Sequence, residues 1–113
     1  MYFELCVEMS NGNNCYFHHG RSANVLKLSQ TLGMCAVQGH YHEQMGAQFW
    51  SNMAGTFWGA QTGCLVNKNG LAMAYGKNNL KSPVLGSLVI IEGHPISVPF
   101  VTDKNNRWIG RLV

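Results

Sequence analysis

The stretch that decides the fold runs from Cys15-Tyr-Phe-His-His-Gly20, through Ser22 to Gly33, to Cys35-Ala-Val-Gln-Gly-His-Tyr-His-Glu43. Cys15–His19 reads as a short strand that stops at Gly20. Ser22 can cap a helix over about Ala23–Leu32, with Val25, Leu28 and Leu32 on one face and Gly33 at the C′ position. Met34–Gln38 reads as a short apolar strand that stops at Gly39. The order strand, helix, strand thus brackets His18, His19, His40 and His42.

Two strands joined by a right-handed helical crossover lie parallel and adjacent. Both histidine pairs then emerge at one carboxyl edge of the sheet, where α/β proteins place ligands. Imidazole is the commonest protein ligand for borderline transition metals. Gly20 and Gly39 would let the backbone bend sharply beside a metal. A lone histidine at a strand end is more often a surface or hydrogen-bonded core residue. Two pairs at consecutive strand ends favour metal binding instead. His94 stands apart, in a tight turn read at Glu92-Gly-His-Pro95.

Outward from this centre the chain is rich in strands. Upstream, Tyr2–Met9 reads as a strand and Ser10–Asn14 as a turn, with Asn11-Gly12 as a hairpin signal. Downstream, Met45–Trp50, Thr56–Leu65, Val84–Ile91 and Pro95–Val101 read as strands between Gly and Asn turns. Leu71–Tyr75 reads as strand or helical turn, and Asp103–Val113 as a turn followed by an apolar ending. The fold class is α+β: strand-helix-strand, then a mostly antiparallel sheet, in one domain over 1–113.

Composition narrows the functional classes. Only 12% of residues are charged, about half the usual share, so Asn, Gln, Ser and Gly must cover the surface. Such a surface suits an assembly with partly covered faces. The net charge of +3 comes from scattered Lys and Arg, which argues against a dedicated nucleic-acid site. Cys6, Cys15, Cys35 and Cys64 form no Cys-x-x-Cys pair, and Cys35 and Cys64 lie in apolar runs as free thiols do. Met1–Met9 has no basic n-region, and no apolar stretch is long enough to span a membrane. A cytoplasmic, reduced location is the expectation.

Gly39-His40-Tyr41-His42 after an apolar strand resembles the final Gly-His-x-His motif of calcineurin-like metallophosphoesterases. Tyr16-Phe-His-His-Gly20 resembles the strand carrying that family's penultimate metal-ligand histidine, and the intervening helix is also in place. Gly63-Cys-Leu, Leu71–Tyr75 and the closing hairpin look like the C-terminal sheet of virus-encoded members. The resemblance covers about Cys15 to the C-terminus. It implies part of the family's α/β sandwich. It also implies that His19 and His40 bind one divalent transition metal (Mn, Zn, Fe or Ni) and His42 the other, with His18 as the substitute for His19. In complete enzymes two such ions, roughly 3.5–4 Å apart, clamp a phosphate and activate water.

The family's N-terminal half supplies Asp-x-His, a bridging Gly-Asp carboxylate and Gly-Asn-His, none of which occurs in this sequence. Its only aspartate is Asp103, and Glu4, Glu8, Glu43 and Glu92 lie in other contexts. A bridging carboxylate offsets the repulsion between two dications, so no catalytic residue is assigned within this chain alone. The expectation is a metal-binding hydrolase part that becomes active only with a complementing N-terminal-half chain. It is expected to form a homo-oligomer or that hetero-pair, in the host cytoplasm if viral. The competing reading is a catalytically inactive viral interaction or inhibitor protein aimed at a host factor, with Phe49, Trp50, Phe57, Trp58 and Trp108 available for an interface. A third is a mononuclear metal module built on His19, His40 and His42.

Overall fold

The computed structural model describes residues 4–41, 43–65, 83–105 and 107–110. Its elements are β1 (Glu4–Glu8), β2 (Asn14–His18), α1 (Val25–Leu32), β3 (Cys35–Gln38), β4 (Met45–Asn52), β5 (Gly55–Thr62), β6 (Gly86–Ile91) and β7 (His94–Pro99). Five strands form one sheet in the order β1-β2-β3-β5-β4, and β6 pairs with β7 in a separate hairpin. β2 and β3 run parallel, with Cys15 beside Cys35 and His18 beside Gln38. β5 is also parallel to β3, while β1 and β4 close the two sides antiparallel. The molecule is therefore α+β, as expected: after β3 the pairs β4–β5 and β6–β7 are antiparallel, while β5 joins β3 in parallel and makes the five-stranded sheet mixed. The reading at Leu71–Tyr75 lies outside the described residues.

The helix starts later than the sequence suggests. Asn24, not Ser22, is the N-cap: its Oδ1 accepts the Lys27 N–H at 3.0 Å. Ser22 braces the cap instead, with its Oγ 3.2 Å from both the nitrogen and the carbonyl oxygen of Asn24. The cause is tertiary, because the fully buried Gln38 side chain binds the Ser22 backbone and holds it out of the helix. Gly33 ends the helix in the left-handed conformation at φ 70°, as its type favours.

α1 covers one face of the sheet. Val25 and Leu28 pack on Tyr16 and Ala36. Gly59 makes the approach possible, since a Cβ there would stand 2.4 Å from the Val25 carbonyl oxygen. Ser29 is fully buried on the sheet-facing side of the helix, its hydroxyl donating to the Met34 carbonyl at 2.6 Å and accepting the Trp50 indole N–H at 2.7 Å. On the other face Cys15, Cys35, Val37, Trp58 and Ala60 form a second core, packed against Leu88 and Ile90 of the hairpin.

Trp58 ties these layers together, donating its indole N–H to the Gly93 carbonyl at 2.9 Å. Glu92 and Gly93 both have positive φ, 51° and 81°, the pattern of a two-residue type I′ turn. The expected tight turn is present, with His94 and Pro95 already inside β7. Of the aromatic residues, Trp58 is core and Trp50 and Phe57 are half-buried, whereas Phe49 and Trp108 are exposed. In the tail, Asp103 Oδ1 accepts the N–H groups of Asn105 and Arg107, so its carboxylate is engaged in a local turn. Among the described residues no helix is long and apolar enough to cross a membrane.

Candidate functional site

The parallel register of β2, β3 and β5 gathers three strand ends at one edge: His18-His19, Gln38-Gly39-His40 and Gln61-Thr62. Beyond the last ladder pair, the Gly39 N–H donates to the His19 carbonyl at 2.9 Å. That bond carries the two chains side by side past the sheet and into solvent.

His19 and His40 meet there. His19 Nε2 lies 3.0 Å from His40 Nδ1, with the rings at 74° to one another and both residues exposed. His40 holds φ at 68°, a left-handed conformation that few non-glycine residues adopt. Gly20 makes room for it, because a Cβ at Gly20 would lie 2.5 Å from His40 Cβ. Gly39 meets no comparable obstacle: its nearest neighbour would be Thr62 Oγ1 at 3.5 Å. Close approach is therefore the role of Gly20 rather than of Gly39. Tyr41 sets its ring edge-on to His40 at 5.0 Å between centroids.

His18 is placed differently from its neighbour. It is buried, its ring lies parallel to Tyr16 at 5.9 Å, and its Nδ1 accepts the Gly20 N–H at 2.9 Å. Of the two histidines ending β2, His19 is the one set against His40. His42 lies outside the described residues, and His94 is exposed at the start of β7.

The His19–His40 separation is that of a hydrogen bond between two imidazoles, and it is also compatible with both rings on one ion. Two nitrogen ligands at ~2.0–2.1 Å from one ion stand roughly 2.9–3.4 Å apart for right-angle to tetrahedral geometry. The observed 3.0 Å falls within that span. Among the described residues, no three His, Cys, Asp or Glu side chains gather closely enough to hold one ion. Two carboxylates are engaged elsewhere. Glu4 accepts the Tyr16 hydroxyl at 2.9 Å beside Arg21, and Asp103 closes its own turn.

Two residues the sequence reading passed over complete the edge. Gln38 Oε1 accepts the Arg21 N–H at 3.0 Å, and its Nε2 donates to the Ser22 carbonyl. It clamps the loop that carries Gly20 under His40. Gln61, its neighbour on β5, is 4% exposed, and neither of its amide atoms has a hydrogen-bond partner among the described residues. The available signal was a glutamine at the end of an apolar strand one or two residues before a glycine, in Gln38-Gly39 and Gln61-Thr62-Gly63.

An apolar groove of 510 Å³ opens beside this edge, lined by Leu5, Phe17 and Val37 with His19 among its other residues. No protein-family model, curated protein or solved structure matches the chain.

Proposed function

We propose that His19 and His40 form half of a divalent transition-metal site of the metallophosphoesterase type, with His42, outside the described residues, assigned by the same resemblance to a second ion. The observation that carries this reading is the 3.0 Å separation of His19 Nε2 and His40 Nδ1, held by the contact of Gly20 with His40. The order of strand, His-Gly, helix, strand and Gly-His-x-His supports it. Mn, Zn, Fe or Ni would supply Lewis acidity toward a phosphoryl oxygen and lower the pKa of water. The chain's own part is to position two imidazoles at a sheet edge and keep them open to solvent.

Hard carboxylate ligands must come from outside this sequence, so the chain hydrolyses no phosphoester alone. The apolar groove next to His19 is the surface across which a complementing chain would bring them. Metal analysis of the purified chain beside His19→Ala and His40→Ala tests the site. Each variant should bind Mn or Zn at least about tenfold more weakly, a change of ~1.4 kcal/mol. Equal metal content in all three proteins would remove the site. Hydrolysis of bis-p-nitrophenyl phosphate should appear only after a chain bearing Asp-x-His and Gly-Asn-His is added.

A second reading rests on a different observation. Leu5 and Val7 on β1, Phe49 on β4, and Val89, Ile91 and Ile96 on the hairpin are all at least 40% exposed. Apolar side chains on edge strands invite a covering partner, either another copy or a target protein bound without catalysis. Sedimentation of the metal-free chain tests this: a monomer with no affinity for any partner would set the reading aside.

A further inference from the structure

The β1–β2 turn touches the β6–β7 turn. A Cβ at Gly93 would overlap Nδ2 and Cγ of Asn11, so the Asn11 amide lies directly against the Gly93 backbone. Gly93 is buried there, while Asn11 and Gly12 are exposed. The Gly93 carbonyl also accepts the Trp58 indole N–H at 2.9 Å. Trp58 and Asn11 thus both hold the turn of the hairpin, and Leu88 and Ile90 of that hairpin pack on the core that buries Cys15 and Cys35.

Asn11-Gly12 carries a chemistry of its own. Asparagine is a labile residue, and a following glycine has no Cβ to block attack by its own backbone nitrogen. The Gly12 nitrogen gives its proton to solvent and bonds to Asn11 Cγ, and the Cγ–Nδ2 bond breaks to release ammonia. Water then opens the cyclic imide. Breaking the new Gly12 N–Cγ bond leaves aspartate, and breaking the original Asn11–Gly12 peptide bond leaves an isoaspartyl link. Water is the only co-reactant, and either product has a carboxylate in place of a neutral amide.

Native contacts oppose the attack. The Gly12 N–H donates to the Met9 carbonyl at 2.9 Å, and Asn11 Oδ1 accepts the Asn13 N–H at 3.1 Å. No side chain shields Gly12, since its Cβ position has nothing within 4 Å. The cover over the Asn11 amide is Gly93, and it is present only while the hairpin is docked. A carboxylate at position 11 gains by turning out to water, which uncovers Gly93.

We propose that Asn11 is a deamidation site held in check by the docked β6–β7 hairpin, and that its conversion releases the hairpin. The site uses none of the edge histidines and stands whether or not they bind metal. The test ages the full chain at mildly alkaline pH, in buffer and in urea, and follows the asparagines by peptide mapping. Asn69-Gly70 is the same dipeptide and serves as the reference in urea. Asn11 should convert alongside Asn69 in urea, and at least about tenfold more slowly in buffer, where the reaction waits on local opening. Gly93→Ala and Trp58→Phe should each raise the rate at Asn11 in buffer about threefold or more. An unfolded variant would also convert fast, so each must keep the circular dichroism of the parent; Trp58→Phe retains an aromatic core residue and loses the bond to Gly93. Asn11→Asp, the hydrolysis product, should let iodoacetamide reach Cys15 and Cys35 several-fold faster, with exposed Cys6 as the internal standard. An Asn11 that stays intact in urea while Asn69 converts is no such site. Equal Asn11 rates in buffer and urea, or parent rates in the folded variants, would overturn the restraint by the hairpin. An Asn11→Asp protein labelled no faster than the parent would overturn the release.

Discussion

The β2–β3 ladder has two ends that share a geometry and differ in everything else. At its amino end Cys15 lies beside Cys35; past its carboxyl end His19 meets His40. Both pairs consist of metal-ligating residue types. The thiols are buried under Trp58 and the hairpin. Burial, with the Cys35 and Cys6 thiols adding to it, pushes the Cys15 thiol from 9.0 up to about 12. Burial also pushes the Cys35 thiol up. A thiol that keeps its proton is neither nucleophile nor ligand. The imidazoles stand in solvent, where an ion can reach them. Adjacent parallel strands bring side chains together at either end, and burial decides which end can do chemistry.

The most severe way to break this contrast is to empty the buried end. Trp58→Ala should cost about 3–5 kcal/mol, read by urea denaturation, and should scatter the His19–His40 pair as the ladder loosens. Next comes the clamp between the ends. Gln38→Leu leaves the Arg21 N–H and the Ser22 carbonyl without their partner, at about 1–3 kcal/mol. It should also loosen the Gly20 loop and weaken metal binding, which a surface change of equal cost elsewhere would not do.

The thiols give a pH dependence. Above pH 9 the unfolded Cys15 loses its proton, while the native thiol keeps it to about 12. The native state then binds more protons, so stability falls as pH rises across that window, by up to about 1.4 kcal/mol per pH unit. The full contribution is present below pH 9, and Cys15→Ala should flatten the decline. At the exposed end, Gly20→Ala pushes His40 aside at about 1–3 kcal/mol of stability, and should weaken metal binding at least tenfold. The smallest effect belongs to Cys6, which is exposed. Iodoacetamide should modify it in the native protein with a change below about 0.5 kcal/mol, while Cys15 and Cys35 resist.

Much of this architecture was legible in residue order. Apolar runs stopped by glycine marked β2 and β3, and Gly33 marked the end of α1, because strand stops and left-handed caps are local events. His19 and His40 were legible as a pair for the same reason: each lies within two residues of a strand end. The N-cap was less legible. Ser22 and Asn24 are both competent caps, and only the Gln38 side chain, 16 residues from Ser22 in sequence, excludes the first.

What the sequence by itself determined is thus the strand-helix-strand core and the gathering of histidines at one edge. Tertiary structure decided the rest. It made β5 a third parallel strand, set His19 rather than His18 against His40, and reserved Gly20 for close approach. It also left Gln61 facing a glycine instead of a partner. Each of these depends on which side chains meet across strands distant in the chain. Local propensity cannot report a neighbour that only packing brings near.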